Sequence, residues 1–334
     1  MCRSDKNIQI MGTGSCLPEK ILTNFDLEKM VDTSDEWIVT RTGIKQRRII
    51  DSNLPGSNLA ATAARYALED AGINADEIDL IIVATITPDM STPSTACIVQ
   101  SILCAKNAVA FDINAACTGF IYAMTVAKQF LTTGYCSNAL IIGVDVLSRI
   151  TDWSDRNTCV LFGDGAGAAV LTSKNTELNG VLSTYIGADG ALGTKLTCPL
   201  YFLSEEEKQK RIGRAEKTIW MDGSEVFKFA VKAMETAAIE AINRAGITLK
   251  DVSFIVPHQA NIRIVEGAAK RLTYSIENIY TNIDKYGNMS AASIPVALDE
   301  ANKNGRIKNG DNVLLVGFGG GMTWGSSVIK WTKE

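Results

Sequence analysis

The 334-residue chain repeats itself. SNLAATAARYALEDAGINADEIDLIIVA, from Ser57, and SEVFKFAVKAMETAAIEAINRAGITLKDVSFIVPHQAN, from Ser224, follow one plan. Each opens on a serine suited to capping a helix, runs on as an amphipathic helix and stops at Ala-Gly-Ile. Each then crosses a short acidic link into an apolar strand. Ala71-Gly72-Ile73 and Ala245-Gly246-Ile247 are 174 residues apart, and the same spacing carries Leu140–Gly143 onto Leu314–Gly317. One spacing shared by two separate places marks a duplication. The chain therefore reads as two similar halves, residues 1–173 and 174–334.

Within each half, β-branched strands alternate with helices. The first half gives a strand over Leu80–Thr85, a helix near Ser94–Leu103, a strand over Ala108–Ile113 and a helix over Thr118–Leu131. That alternation predicts an α/β fold with largely parallel strands and right-handed crossovers. The strands are continuous apolar runs, so both faces of each sheet should be covered. Two such halves packed together make a layered α/β/α/β/α body. The charged stretch SEEEKQKRIGR, Ser204 to Arg214, reads as a solvated excursion with no function assigned.

No apolar run approaches the ~18 residues a membrane helix needs. The N-terminal segment MCRSDKNIQIMG lacks the pattern of a signal peptide, which points to the cytoplasm. A formal net charge of -4 argues against nucleic acid as a partner. The eight cysteines, at 2, 16, 97, 104, 117, 136, 159 and 198, form no CxxC pair, and a single histidine makes a zinc site improbable. Reduced thiols that mostly fill the core are expected.

One cysteine stands apart. In FDINAACTGF a strand ends near Ile113, the chain turns, and Cys117 opens a helix whose apolar residues recur at 120, 124, 127 and 131. Crevices beyond the carboxyl ends of strands are where open α/β sheets bind ligands. A helix N-terminus should lower the thiol pKa and favour the nucleophilic thiolate. The alternative is an inert buried thiol. The 174-residue spacing puts Ala291 opposite Cys117, inside YGNMSAASIP, where a strand-like run again reaches a Gly-containing turn at Asn288. His258, the only histidine, follows the strand Ser253–Val256, which matches the strand at Leu80. Taken singly, His258 reads as structural and Asn288 as a turn residue beside Gly287. Together, the three fall past predicted strand ends that a pseudo-two-fold axis would bring to one cleft. GFGGGMTWG, Gly317 to Gly325, lets the backbone approach a ligand closely but lacks the GKS/T ending of a phosphate loop.

DINAACTGF, FGDGAGAAVL, PHQAN, YGNMSAASIP and GFGGGMTWG, in this order, resemble the motif set of β-ketoacyl-acyl-carrier-protein synthase III. That family holds the priming condensing enzymes of bacterial fatty-acid synthesis, in the thiolase superfamily. The likeness runs from GTGSCLPE to the final strand. It implies a thiolase-like duplicated five-layer fold and an acyltransferase that needs no cofactor.

The resemblance implies roles residue by residue. Cys117 would accept the acyl group from acyl-CoA, and His258 and Asn288 would serve the decarboxylating condensation with malonyl-acyl carrier protein. Backbone N–H groups of Cys117 and Gly320 would form the oxyanion hole. Trp37, Arg41, Arg156 and Asn261 would bind CoA, and Thr92 and Phe318 would belong to the acyl pocket. Arg263, Lys270 and Arg271 would dock the acidic acyl carrier protein, and the enzyme would be a homodimer. Two departures stand out. Thr92 replaces a phenylalanine common in acetyl-primed members, where it closes the pocket across the dimer, so branched or longer primers become possible. Met289 replaces a threonine. A condensing enzyme of secondary metabolism with the same Cys-His-Asn site is the alternative. An inactive chain-length subunit is disfavoured because such proteins lose the cysteine. Hydroxymethylglutaryl-CoA synthase is disfavoured because the matching motifs hold no glutamate.

Overall fold

Five strands of the first half form one sheet in the order Asn7–Cys16, Asp164–Lys174, Asn138–Val146, Leu80–Ala84, Val109–Ile113. A computed structural model describes residues 7–174 and 180–333, so Cys2 lies outside the described residues. The second sheet runs Phe254–Pro257, Asn312–Gly319, Thr323–Lys330, Val181–Ala188. The strands are less parallel than the alternation predicts. Leu80–Ala84 pairs in parallel with both neighbours, and Phe254–Pro257 with Asn312–Gly319. The other pairings of these sheets are antiparallel. The reason lies in the connections: Gly319 and Thr323 are joined by a short turn, and antiparallel neighbours need no crossover helix.

Side-chain patterning then stacks the layers. The faces of the two sheets that look at each other enclose the helices Gly119–Thr132 and Ser293–Lys303, with Phe120, Met124, Ile294 and Leu298 buried among Ile82, Ile141, Val256 and Leu315. The helices Gly56–Ala71 and Thr95–Leu103 cover the outer face of the first sheet. Gly223–Arg244 and Ile262–Leu272 cover the outer face of the second. The central strands, such as Leu80–Ala84, are buried at every position, as a sheet covered on both faces requires. Close approach in the middle layer depends on glycine: a Cβ on Gly143 would lie 2.2 Å from the Ala291 carbonyl oxygen.

The duplication fails at one edge. Val109–Ile113 completes the first sheet, but its counterpart in sequence, Ile283–Tyr286, is a short helix. The edge of the second sheet is instead a lone bridge from Ile255 to Ile279. Asn288 therefore does not follow a strand, contrary to the expectation from sequence. The Gln259 side chain explains the helical turn, since its Oε1 accepts the N–H groups of Asn282 and Ile283 at 2.8 and 3.0 Å. The spacing recovers at once: the turns Ala116–Thr118 and Ser290–Ala292 are 174 residues apart and have the same shape, with φ +47° at both Ala116 and Ser290.

Candidate active site

The backbone carries Cys117 to the floor of a cavity of 1330 Å³ between the halves. Ala116 sits in left-handed backbone, costly for a residue with a Cβ. Its surroundings hold it there. The Ala115 carbonyl accepts the Thr118 N–H at 3.2 Å, the Thr118 hydroxyl at 2.7 Å and the Thr323 hydroxyl at 3.3 Å. Thr323 comes from the second half, so the Cys117 turn is tied to the loop Gly320–Met322 that precedes it.

The thiol differs from the expectation. Cys117 lies in a 3-10 turn ahead of the helix Gly119–Thr132, and burial pushes its pKa up to about 12. The Ser290 hydroxyl pulls it down, the Asp145 carboxylate pushes it up, and the N–H groups of Cys117 and Gly320 pull it down. Desolvation outweighs any favour from the helix end. The side chain keeps some surface on the cavity although protein surrounds it in depth. The other thiols are also less uniform than expected. Cys136 and Cys159 are buried, Cys97 and Cys104 are exposed, and Cys16 and Cys198 lie between.

His258 and Asn288 line the same cavity. The His258 N–H donates to Val316 O at 2.7 Å, which fixes the backbone just past Phe254–Pro257. Its ring is fully buried, stands edge-on to Phe318 at 5.4 Å, and has no hydrogen-bond partner on either nitrogen among the described residues. Burial lowers its pKa to about 3, so the imidazole is neutral near pH 7. Asn288 is locked by its backbone to Leu161 and Gly163, at 2.8 and 2.9 Å. Its Oδ1 accepts the Ser290 N–H at 2.8 Å, which leaves the amide nitrogen as the group free to donate.

Trp37, Arg41, Asn261, Arg263, Phe318 and Gly320 also line the cavity. Arg41 and Arg156 stack against Trp37, at 4.8 and 5.0 Å from the ring centroid, and Arg156 donates to Asp32 O at 2.7 Å. Asn261 caps the helix Ile262–Leu272 by accepting the Arg263 N–H at 2.9 Å. Lys270 and Arg271 lie in the last turn of that helix and do not line the cavity, and Arg271 pairs with Glu235 at 2.5 Å. Thr92 is exposed and does not reach the cavity of its own chain. Phe318 stands beside the imidazole. An apolar wall of the cavity comes from Leu147, Phe162, Ile219, Ile86 and Leu196.

Sequence reasoning missed two groups. Asp145 is fully buried in the strand Asn138–Val146, where a lone carboxylate in an apolar run was the available signal. The stretch Ser204–Arg214 is not merely solvated. Its helix Glu205–Lys210 is anchored by buried Arg211, which binds Glu207 and the carbonyls of Thr197 and Thr218. Arg214 pairs with Asp155 at 2.5 Å and lines the cavity, while Tyr201 and Phe202 stay exposed nearby in sequence.

Comparison with known proteins agrees along the chain. Residues 111–190 match the family described as 3-Oxoacyl-[acyl-carrier-protein (ACP)] synthase III, and residues 242–331 match its C-terminal part. A β-ketoacyl-acyl-carrier-protein synthase III of Caldanaerobacter subterraneus subsp. tengcongensis is 56% identical over 324 residues, covering 97% of this chain and 98% of its own. The crystal structure of 3-oxoacyl-acyl-carrier-protein synthase III from Aquifex aeolicus superposes with a TM-score of 0.90 at 47% identity, covering 97% of this chain and 100% of that one. A priming β-ketosynthase of a polyketide biosynthetic pathway gives 0.91 at 32% identity, covering 99% and 98%.

Proposed function

The chain belongs to the 3-oxoacyl-acyl-carrier-protein synthase III family, with its thiolase-like fold, and from that premise we infer a decarboxylating acyltransferase that primes fatty-acid synthesis. It condenses an acyl-CoA with malonyl-acyl carrier protein, releases CO2 and CoA, and yields a β-ketoacyl-acyl carrier protein. The observation that carries this reading is that Cys117, His258, Asn288 and Gly320, scattered over the sequence, line one cavity. Identity of 56% to the synthase, against 32% to the polyketide enzyme, favours the fatty-acid role over secondary metabolism.

In the scheme we propose, the Cys117 sulfur attacks the thioester carbonyl of the acyl-CoA. The thiol gives its proton to solvent, a sulfur–carbon bond forms as the carbon–sulfur bond to CoA breaks, and the CoA sulfur takes a proton from solvent and leaves as the thiol. The N–H groups of Cys117 and Gly320 bind the oxyanion of the tetrahedral intermediate. Malonyl-acyl carrier protein then loses CO2, and the electron pair of the broken bond becomes an enolate. Neutral His258 donates one N–H to the enolate oxygen, and the Asn288 amide donates another. The carbanion attacks the acyl-enzyme and expels the Cys117 sulfur. Loss of CO2 drives the carbon–carbon bond, so the scheme draws on no metal or redox cofactor.

The entrance supports CoA as acyl donor. Trp37 offers an aromatic face to an adenine, while Arg41 and Arg156 offer cations to phosphates. Asn261 lines the way in. Leu147, Phe162, Ile219 and Leu196 give the primer an apolar seat, with Phe318 closing the side by His258. Arg263 with Lys270 and Arg271 forms the surface for the acidic carrier protein. A homodimer is proposed on the edge strand Val109–Ile113, which among the described residues pairs on one side only and exposes Val109, and on Met90 and Thr92, which are also exposed. Among the described residues no helix is long and apolar enough to cross a membrane, which fits a cytoplasmic enzyme.

Intact-protein mass spectrometry after brief incubation with a panel of acyl-CoAs tests the reading, with Cys117→Ala alongside. An acyl adduct on the wild type alone, discharged by malonyl-acyl carrier protein with release of CO2, is expected. A Cys117→Ala protein that condenses at the wild-type rate would overturn it. The acyl-CoA that loads best identifies the primer.

A further inference from the structure

Behind Cys117 lies a polar pair that the scheme above does not use. Ser290 is 2% exposed and lines the catalytic cavity, and among the described residues its hydroxyl has no well-aligned hydrogen-bond partner in the resting site. It stands against two acidic groups at once, the Cys117 thiol and the Asp145 carboxylate. Asp145 is held from its other sides. Its Oδ1 accepts the Thr85 hydroxyl at 3.1 Å, the Ile86 N–H at 2.8 Å and the Thr87 hydroxyl at 3.1 Å, and its Oδ2 accepts the Ala291 N–H at 3.1 Å. Ser290 is fixed by the N–H it donates to Asn288 Oδ1 and by left-handed backbone at φ +47°. A serine is not required for that conformation, because Ala116 adopts the same φ at the matching place of the first half.

We propose that Ser290 is a positioning residue that acts through Cys117, holding the sulfur toward the cavity and turning its one hydroxyl proton from Asp145 to the sulfur as the thiolate forms. A hydroxyl has one proton and two acceptors here. Burial raises the Asp145 pKa, while Ile86, Ser290, Ala291 and Thr85 favour its charged form. A carboxylate is a better acceptor than a thiol, so in the resting site the Ser290 hydroxyl is biased toward Asp145, short of a well-aligned bond, and offers a lone pair to the thiol S–H. Once the thiol has lost its proton, the sulfur competes for the same donor. The titratable groups facing the sulfur are Asp145, from the strand Asn138–Val146, and His258, beyond Phe254–Pro257 and neutral near pH 7. The first turn of the helix Gly119–Thr132 buries Gly119, Phe120 and Ile121 and holds no charged residue. A hydrogen bond from Ser290 to the sulfur favours the thiolate, and the negative charge of Asp145 opposes it.

The inference rests on Cys117 as nucleophile, but its test reads the thiol without any acyl-CoA. The rate of iodoacetamide alkylation at Cys117 is followed by peptide mass spectrometry between pH 7 and 10, with exposed Cys97 as internal reference. Ser290→Ala should slow alkylation of Cys117 about 10- to 100-fold at every pH below its midpoint and leave Cys97 unchanged, the size of a hydrogen bond to a charged group. Acyl loading should lose a similar factor in kcat with KM for acyl-CoA nearly unchanged. Asp145→Asn, if it folds, should shift the profile in the opposite direction, which general damage to the site would not do. A Ser290→Ala profile that superposes on the wild type would overturn the proposal. Failure of acyl loading in the wild type, with the alkylation shift intact, would overturn the enzymatic reading instead.

Discussion

The Asp145 carboxylate covers the Ala291 N–H at 3.1 Å, and Gly319, at the matching place of the second half, leaves the Cys117 N–H uncovered. Asp145 and Gly319 are 174 residues apart, as are Cys117 and Ala291. The duplicated fold thus builds the same backbone niche twice. In one copy a carboxylate fills it. In the other the missing side chain keeps it open for a ligand oxygen. A Cβ on Gly319 would lie 2.7 Å from the Cys117 nitrogen.

Gly319→Ala should therefore close the open niche. The backbone at Gly319 is extended, with φ -164° and ψ -177°, which alanine adopts freely, so the cost falls on the contact with Cys117. Acyl loading in a single turnover should fall by about 100-fold or more, the scale of an oxyanion donor lost. The chain should stay folded, with overpacking costing about 1–3 kcal/mol in chemical denaturation. Loading at the wild-type rate would show that the oxyanion sits elsewhere.

His258 makes stability depend on pH in a defined window. Burial lowers its pKa from 6.5 to about 3, so between those values the unfolded chain binds the proton more tightly than the folded one. Its contribution is complete above about pH 6.5 and is lost as pH falls toward 3. Denaturant midpoints of the wild type and His258→Asn, compared at pH 7, 5.5 and 4.5, should converge as pH falls, by up to about 1.4 kcal/mol per unit. A constant gap between the two proteins would contradict a neutral buried imidazole.

Much of this was legible in the sequence because the duplication writes the same signals twice. The helix stops at Gly72 and Gly246 and the strands Leu80–Ala84 and Asn312–Gly319 are local features, set by capping and apolar runs. The helical turn Ile283–Tyr286 was not legible, because a side chain 24 residues away, Gln259, satisfies its backbone. The thiol pKa was misjudged for a related reason. A helix terminus is visible in sequence, whereas depth of burial depends on what the other half packs above it. Asp145 was missed because its partners, Ile86 and Ala291, meet only in the folded chain.

Trp37 separates binding from chemistry. Its ring is held by Arg41 at 4.8 Å and Arg156 at 5.0 Å, neither of which has a part in the chemistry at Cys117. Trp37→Ala should raise KM for acyl-CoA about 5- to 150-fold, the range of one base stacking on an aromatic ring, with kcat changed little. An N-acetylcysteamine thioester, which lacks the nucleotide, should lose nothing. Equal losses for both substrates would place Trp37 in a structural role.

The basic residues of the helix Ile262–Leu272 should not contribute equally to carrier-protein docking. Arg263 lines the cavity, its guanidinium 5.8 Å from the Phe227 ring, and no carboxylate is paired with it among the described residues. Arg271 is committed to Glu235 at 2.5 Å. Lys270 lies about 10 Å along the helix from Arg263. An exposed charge is worth up to about 1 kcal/mol, so Arg263→Ala should raise KM for malonyl-acyl carrier protein about fivefold. Arg271→Ala should raise it less, because its charge is already partly cancelled. Both effects should shrink in 0.5 M salt, where screening weakens exposed charges. The loading step with acyl-CoA should be unaffected by Arg271→Ala. If Arg271→Ala proved the more damaging, Glu235 would have to release its partner on docking, and a Glu235→Gln protein would then bind the carrier more tightly than the wild type.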